Sequence, residues 1–188
     1  MKIVTNLLLG IGLVFGLSGC QPPPSDKPQE VQTKTWQKEL QEQLPMLGHR
    51  NWILVVDKAY PLQSSSGIDY IYADENLPSV LDYVMKQLNN STHVRPVAFT
   101  DKELSYITEQ QASGVEEFRK ELNKTMKGNE VQTLAHDSVF HLLDQSSKLF
   151  KVLVIKTNQT IPYSSVFLQL DCRYWDANRE NQLRQRMK

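Results

Sequence analysis

Two side chains that can transfer or accept protons flank one short apolar run of this sequence. His49 precedes the run Trp52–Val56, and Asp57 follows it directly. An imidazole takes up and releases a proton near neutral pH, and a carboxylate can accept a hydrogen bond from it or from a substrate hydroxyl. Held by one rigid strand, His49 and Asp57 are a candidate pair for general acid and base catalysis.

Polar side chains stand near two further strand ends of the predicted fold. His136 follows a predicted strand at 130–134, and Tyr163 and Ser165 precede another at 166–170. Ligands of open α/β sheets bind outside the carboxyl ends of strands, so we expect these groups to converge with the first pair. Tyr, Ser and Asp side chains exchange hydrogen bonds with sugar hydroxyls. Spacing alone leaves a structural role open, because aspartates at strand ends commonly form turns.

The overall charge and the histidine spacing each argue against one class of binding site. Lysine and arginine together number 21, as do aspartate and glutamate, so the formal net charge is zero. A nucleic-acid footprint would need a basic stripe, which this balance does not suggest. The histidines, at positions 49, 93, 136 and 141, show no zinc-ligand spacing, so we expect no metal site.

Helical and strand patterns alternate between residues 36 and 175. Apolar residues recur at helical spacing from Trp36 until Pro45 ends the helix, and Gly48 then permits a tight turn before the first strand. Asp137 is predicted to cap a later helix. The alternation predicts one α/β domain with a mainly parallel sheet, followed by a polar tail at 176–188 that forms a solvated helix or a frayed end.

The first 35 residues predict a secreted, lipid-anchored protein. A basic start and an apolar stretch at 3–17 have the form of a secretory signal, and Leu17-Ser18-Gly19-Cys20 resembles the lipobox of bacterial lipoproteins. Residues 1–19 would be removed and Cys20 would carry the lipid, such as palmitate. The proline-rich segment 20–35 would tether the domain to a bacterial membrane, facing the periplasm or the cell exterior. The alternative is an ordinary secretory signal with a coincidental cysteine.

Several short pieces of the chain, taken in order, resemble the D-ribose pyranase / L-fucose mutarotase family. The pieces are Leu47-Gly48-His49, Val55-Val56-Asp57, Pro61, Ile68-Asp69, Leu77-Pro78-Ser79, Leu134-Ala135-His136, Val154-Ile155-Lys156-Thr157 and Pro162-Tyr163-Ser164-Ser165. The piece that contains His136 is similar to the ribose-type branch of the family. The resemblance extends over roughly residues 44–175.

This resemblance implies a three-layer α/β/α domain that assembles into rings, as a pentamer or a decamer, and that uses neither a metal nor a nucleotide cofactor. The implied activity is the opening and closing of a free sugar ring at the anomeric carbon. By position, His49 matches the family's acid/base histidine. Asp57, His136 and Tyr163 match its sugar-contacting positions.

Two departures from the family pattern bear on the sugar site. Ser165 stands where the family has an asparagine, although the serine hydroxyl can still bind a sugar. Asn158-Gln159 stands where the family has Gly-Glu. Three functions therefore stay open: a monosaccharide mutarotase or pyranase, a catalytically inactive sugar-binding lipoprotein with the same fold, and a structural ring protein. Family rings often build each pocket from neighbouring subunits, so site residues can act across subunits.

Overall fold

The computed structural model describes residues 34–188; the predicted signal sequence and Cys20 lie outside the described residues. Within them, the strands are β1 (Trp52–Val56), β2 (Ile68–Tyr72), β3 (Val94–Asp101), β4 (Val131–Leu134), β5 (Val152–Lys156) and β6 (Val166–Cys172). The α-helices are α1 (Trp36–Gln43), α2 (Leu77–Asn90), α3 (Val115–Thr125), α4 (His136–Ser146) and α5 (Ala177–Arg186). Strands and helices alternate along most of the chain, which confirms the predicted α/β class.

The strands form one sheet in the order β2-β5-β1-β6-β3-β4. β1 and β2 each pair with β5 in parallel, and β3 pairs with β4 in parallel, whereas β6 runs antiparallel to its neighbours β1 and β3. The link between β5 and β6, residues 157–165, contains no helix, and a parallel return needs a longer crossover. The predicted mainly parallel sheet is thus confirmed, with one antiparallel strand inside it.

Apolar side chains of the strands alternate between two cores, one on each face of the sheet. Ile53 and Val55 of β1 pack with α1, α2 and α3, while Leu54 and Val56 pack with α4. All of these β1 side chains are fully buried, as expected for a strand covered by helices on both sides. The three-layer α/β/α architecture follows from this double burial.

Two helix starts show how polar residues between the elements are used. At α2, the Asn76 side chain accepts a hydrogen bond from the Ser79 N–H at 2.9 Å, a common N-cap arrangement. At α4 the helix begins at His136, and the prediction that Asp137 caps it is wrong. The carboxylate of Glu103, from the 3₁₀ turn after β3, accepts the His136 N–H instead. This cap is therefore supplied by a distant part of the chain.

The predicted tight turn before β1 is present, but its glycine does not adopt the left-handed conformation. Arg50 does so instead, with a φ of 75°. The Asn51 side chain accepts the Gly48 N–H at 2.6 Å, and the Asn51 N–H donates to the Gly48 carbonyl at 3.1 Å. His49 is therefore presented from a turn that Asn51 closes.

The polar C-terminal segment forms α5, in which every side chain is at least partly exposed. Asp176 caps this helix by accepting a hydrogen bond from the Arg179 N–H at 2.9 Å. Of the helices in residues 34–188, none is both long and apolar enough to cross a membrane.

Candidate functional site

Four polar groups meet at the edge of the sheet where the parallel strands end, here called the carboxyl edge. Asp57 follows β1, Asp101 ends β3, His136 begins α4 shortly after β4, and Ser165 directly precedes β6. The antiparallel strand β6 begins at this edge, because its first residue pairs near the ends of β1 and β3. The topology therefore brings together residues from four separate parts of the chain.

The Asp57 carboxylate is held by the hydroxyl of Ser165. Ser165 Oγ donates to Asp57 Oδ2 at 3.0 Å and accepts the Asp57 N–H at 3.3 Å. The other carboxylate oxygen accepts the Ala59 N–H at 2.8 Å. Ser165 is only 3% exposed, whereas Asp57 is half-buried. Sugar binding by Ser165 stays a prediction, and its observed contact orients Asp57.

His136 is paired with a carboxylate that the sequence analysis did not single out. Its Nδ1 lies 3.0 Å from Oδ2 of Asp101, whose side chain is fully buried. The other oxygen of Asp101, Oδ1, has no hydrogen-bond partner among the described residues. Burial raises the pKa of Asp101 to about 6; the bond from His136 opposes this effect, and the charges of Glu103 and Asp57 reinforce it.

Aromatic rings surround the imidazole of His136. Tyr163 meets it edge-on with 5.1 Å between ring centroids, and Phe140 lies 4.7 Å away. Tyr60 stacks on Phe140 at 5.6 Å, and burial raises the pKa of its hydroxyl. Tyr163 has a left-handed backbone with a φ of 57°, an uncommon conformation that clusters at functional sites. These rings fix the orientation of an imidazole that is still 37% exposed.

The loop between β5 and β6 is fastened to the end of β1. Thr157 Oγ1 donates to the Val56 carbonyl at 2.8 Å, and the Lys58 N–H donates to the Gln159 carbonyl at 2.7 Å. The side-chain oxygen of Gln159 accepts the backbone N–H groups of the two residues that follow it, at 2.8 and 3.0 Å. The Gln159 amide is thus used to hold the loop that carries Tyr163.

His49 lies at the opposite end of the sheet, here called the amino edge. It precedes β1 and Asp57 follows that strand, and a strand rises about 3.3 Å per residue, so β1 keeps the two side chains roughly 17 Å apart or more. The predicted convergence of His49 with Asp57 is therefore wrong within one subunit. The other predicted site residues, Asp57, His136, Tyr163 and Ser165, do lie together.

At the amino edge, His49 borders an open cavity of about 720 Å³ whose wall includes Arg95, Asp171 and Trp175. His49 Nε2 lies 3.5 Å from Asp171 Oδ1, while Arg95 donates twice to Oδ2, at 2.6 and 2.9 Å. Burial alone would raise the pKa of Asp171, but the bonds from Arg95 and from the Cys172 N–H hold that pKa below its ordinary value. The His49 side chain is 55% exposed.

The chemistry of the carboxyl edge is that of proton exchange and hydrogen bonding. It offers the imidazole of His136, the carboxylates of Asp57 and Asp101, and the phenol of Tyr163. Each of these groups can either form hydrogen bonds with a ligand rich in hydroxyls or orient a neighbouring side chain that does so. Within residues 34–188, no three His, Cys, Asp or Glu side chains are grouped as a metal ion would require.

Asp101 and Glu103 are the two residues of this edge that sequence reasoning missed. A signal for Asp101 was present, because it ends an apolar strand just as Asp57 follows one. Its partnership with His136, 35 residues further along the chain, has no local signature. It depends on the parallel pairing of β3 with β4, which places the ends of both strands side by side.

Comparison with known sequences identifies the family. The sequence model of the RbsD / FucU transport protein family matches residues 31–172. The chain belongs to this family. The match confirms the resemblance drawn from the short pieces between Leu47 and Ser165. No curated protein matches this RbsD / FucU family member at a significant level.

Two solved structures are similar to this RbsD / FucU family member. Bacillus subtilis RbsD, complexed with D-ribose, is 22% identical, with a TM-score of 0.50 and coverage of 71% of this chain and 91% of that one. The fucose mutarotase of Streptococcus pneumoniae, in complex with L-fucose, is 18% identical, with a TM-score of 0.48 and the same coverages of 71% and 91%. The likeness to RbsD agrees with the α/β fold described above.

Proposed function

We propose that this RbsD / FucU family member interconverts the anomers or ring forms of a free monosaccharide of the ribose or fucose type. The observation that carries the proposal is the cluster of Asp57, His136 and Tyr163 at the carboxyl edge. These are the positions at which the resemblance expects sugar contacts. Bacillus subtilis RbsD, which is similar in fold, was solved with D-ribose.

The proposed reaction needs two proton transfers. A base takes the proton of the anomeric hydroxyl, the ring C–O bond breaks as a carbonyl forms, and an acid protonates the ring oxygen. Reclosure on the other face gives the other anomer, and reclosure through another hydroxyl changes the ring size. Well-placed acid/base groups contribute about 10²–10⁴-fold to such steps, which is useful for a reaction that already proceeds in water.

Each predicted site residue has a place in this proposal. Asp57, oriented by Ser165, accepts a hydrogen bond from a sugar hydroxyl, and His136 and Tyr163 hold the remaining hydroxyls. His49 is the acid/base group that the resemblance assigns. It comes from a neighbouring subunit, because the His49 of the same subunit lies at the other edge. A head-to-tail ring, pentameric or decameric, can present the amino edge of one subunit to the carboxyl edge of the next.

The direct test is the exchange between sugar forms, measured by NMR saturation transfer on D-ribose and L-fucose with the full-length protein. We expect the wild type to accelerate exchange and His49→Ala to reduce the acceleration by about 10²-fold. His141→Ala is the matched control, because His141 is exposed on α4, and it should keep the wild-type rate. Equal rates for the wild type and His49→Ala, or no acceleration at all, would contradict the proposal.

A catalytically inactive sugar-binding lipoprotein with the same fold is the second candidate. One observation favours it: the Ser165 hydroxyl is bonded to Asp57 and the Gln159 amide to its own loop. The Ser165 hydroxyl hydrogen and the Gln159 side-chain oxygen are therefore already engaged within the protein. Isothermal titration calorimetry separates the candidates, because sugar binding without faster exchange supports the binding protein. No sugar binding supports the structural ring protein.

We also propose that lipid on Cys20 anchors the protein to a bacterial membrane, facing the periplasm or the cell exterior. The support is the order of a basic start, an apolar stretch, small residues and a cysteine in residues 1–20. The proline-rich segment that follows would give the sugar-binding domain reach from the membrane surface.

A further inference from the structure

The carboxylate of Asp101 is the most deeply buried charge-bearing group of the carboxyl edge. Its side chain has no exposed surface, and one of its oxygens has no hydrogen-bond partner among the described residues. The other oxygen lies 3.0 Å from His136 Nδ1. A buried, incompletely paired carboxylate costs stability relative to an apolar residue of similar size. Packing alone therefore gives no reason for an aspartate at this position.

The contact between Asp101 and His136 decides which imidazole nitrogen is free to take up a proton. An ionised carboxylate only accepts hydrogen bonds, so Nδ1 of the imidazole carries the hydrogen and Nε2 of the neutral ring is left as the basic atom. Glu103 accepts the His136 backbone N–H at 3.1 Å, and the Tyr163 ring meets the imidazole edge-on. Asp101 and Tyr163 thus restrain the imidazole itself, and Glu103 fixes the backbone that carries it. The His136 side chain is still 37% exposed.

We infer that Asp101 is a positioning residue that makes His136 a second acid/base group of the sugar site, alongside His49. This inference rests on the proposed function for its substrate. His136 Nε2 takes the proton of the anomeric hydroxyl, the electrons of that O–H bond form the carbonyl, and the ring C–O bond breaks. The ring oxygen receives its proton from His49 of a neighbouring subunit. Reclosure reverses both transfers.

The imidazolium formed in this step is stabilised by the groups around it. Asp101 stays ionised and holds the Nδ1 hydrogen, which is the role of the aspartate in Ser-His-Asp triads. The other titratable groups facing the pair are Glu103 from the turn after β3, Asp57 and Tyr60 after β1, and Tyr163 before β6. The carboxylate of Asp101 is the one in contact with the imidazole, and its negative charge favours the positive ring during proton transfer.

Asp101→Asn tests the inference in the full-length protein. The amide keeps the shape of the side chain but can donate to Nδ1, which favours the wrong tautomer of His136. We expect D-ribose exchange to slow by about 10²-fold and the pH profile of the rate to move. Asp137→Asn is the matched control, because it makes the same change on an exposed side chain one residue from His136. It should leave the rate and the pH profile as in the wild type.

A second measurement needs neither activity nor a folded Asp101→Asn variant. Long-range proton–nitrogen correlation NMR on protein with ¹⁵N-labelled histidine shows which ring nitrogen carries hydrogen in alkaline solution, and single His→Gln variants assign the signals. We expect the Nδ1–H tautomer for His136. The Nε2–H tautomer, or an Asp101→Asn protein with unchanged rate and pH profile, would overturn the inference. The Nδ1–H tautomer in a wild type that exchanges no sugar would support the pair and count against the proposed function.

Discussion

The two edges of the sheet hold the same two residue types in different surroundings. At the carboxyl edge His136 lies 3.0 Å from Asp101, which is fully buried, and at the amino edge His49 lies 3.5 Å from Asp171, which is 32% exposed. Burial raises the pKa of Asp101; at Asp171 burial acts in the same direction but is outweighed by the bond from Arg95. A histidine beside an aspartate therefore does not define a catalytic pair. The burial of the aspartate and the presence of a competing cation decide what the contact can do.

The two edges also differ in how many of the proposed site residues each one holds. The carboxyl edge assembles an imidazole, its buried carboxylate and a second, half-buried carboxylate, Asp57, within one subunit. The amino edge offers the exposed imidazole of His49 beside an open cavity, and its aspartate is already engaged by Arg95. The carboxyl edge lacks the His49 that the family resemblance assigns to the site, which is the reason to propose a site shared between subunits.

Rings assembled from two different variants should give the largest effect. They test directly whether one sugar site is built from two neighbouring subunits. His49→Ala damages only the amino edge and Asp57→Asn only the carboxyl edge, so each homogeneous variant should exchange sugar near the background rate. If one site takes His49 and Asp57 from neighbouring subunits, random co-assembly of equal amounts rebuilds about a quarter of the sites. Saturation transfer on D-ribose should then recover to about a quarter of the wild-type rate.

The matched control for the mixed rings combines Asp57→Asn with Asp101→Asn, two changes at the same edge. That mixture leaves every carboxyl edge damaged, so it should stay near the rates of its separate components. Two different affinity tags, purified in sequence, establish that both variants share a ring. A verified mixed ring of His49→Ala and Asp57→Asn with no recovered exchange would show that the two residues do not act across subunits.

Much of the fold was predictable because periodicity records burial directly. The apolar run Trp52–Val56 is the fully buried strand β1, and the apolar residues that recur at helical spacing in α2, Val80, Val84 and Leu88, are buried in the core. The antiparallel course of β6 was less accessible. It follows from the lack of a helix in residues 157–165, which the sequence shows, but its place between β1 and β3 depends on long-range pairing.

The candidate site was predictable only in part, for physical reasons that differ between residues. The expectation that His49 and Asp57 meet overlooked strand geometry, since residues before and after a strand lie at opposite ends of it. Asp101 was missed because its importance comes from burial and from His136, and neither is visible in the residues around it. The contact of Ser165 with Asp57 likewise joins positions 108 residues apart.

The pH dependence of stability separates the two aspartates, and the larger effect belongs to Asp101. The pKa of Asp101 is about 6 in the folded protein, above that of an unfolded aspartate. The folded state therefore gains stability while the Asp101 carboxyl is protonated, and this gain is lost as the pH rises from about 4 through 6. Relative to Asp101→Asn, the wild type should lose up to about 3 kcal/mol in free energy of unfolding over this range. Urea unfolding between pH 4 and pH 7 measures the difference. If the difference in free energy of unfolding between the two proteins did not change with pH, the Asp101 carboxyl would titrate as an exposed aspartate does.

Asp171→Asn is the same substitution at the amino edge, and we expect a smaller effect of the opposite sign. Because the pKa of Asp171 is lowered in the folded protein, its stabilisation is present at neutral pH and is lost as the pH falls through that lowered value. The ion pair of Asp171 with Arg95 is partly exposed. Solvent screening therefore limits the loss in free energy of unfolding on Asp171→Asn at pH 7 to about 1 kcal/mol or less, and high salt reduces this loss further. The same urea series measures it. The free energy of unfolding of each variant, relative to the wild type, could instead change with pH in the same direction. Burial of Asp101 and the Arg95 cation would then not distinguish the two edges, and the argument for a second acid/base group at His136 would be weaker.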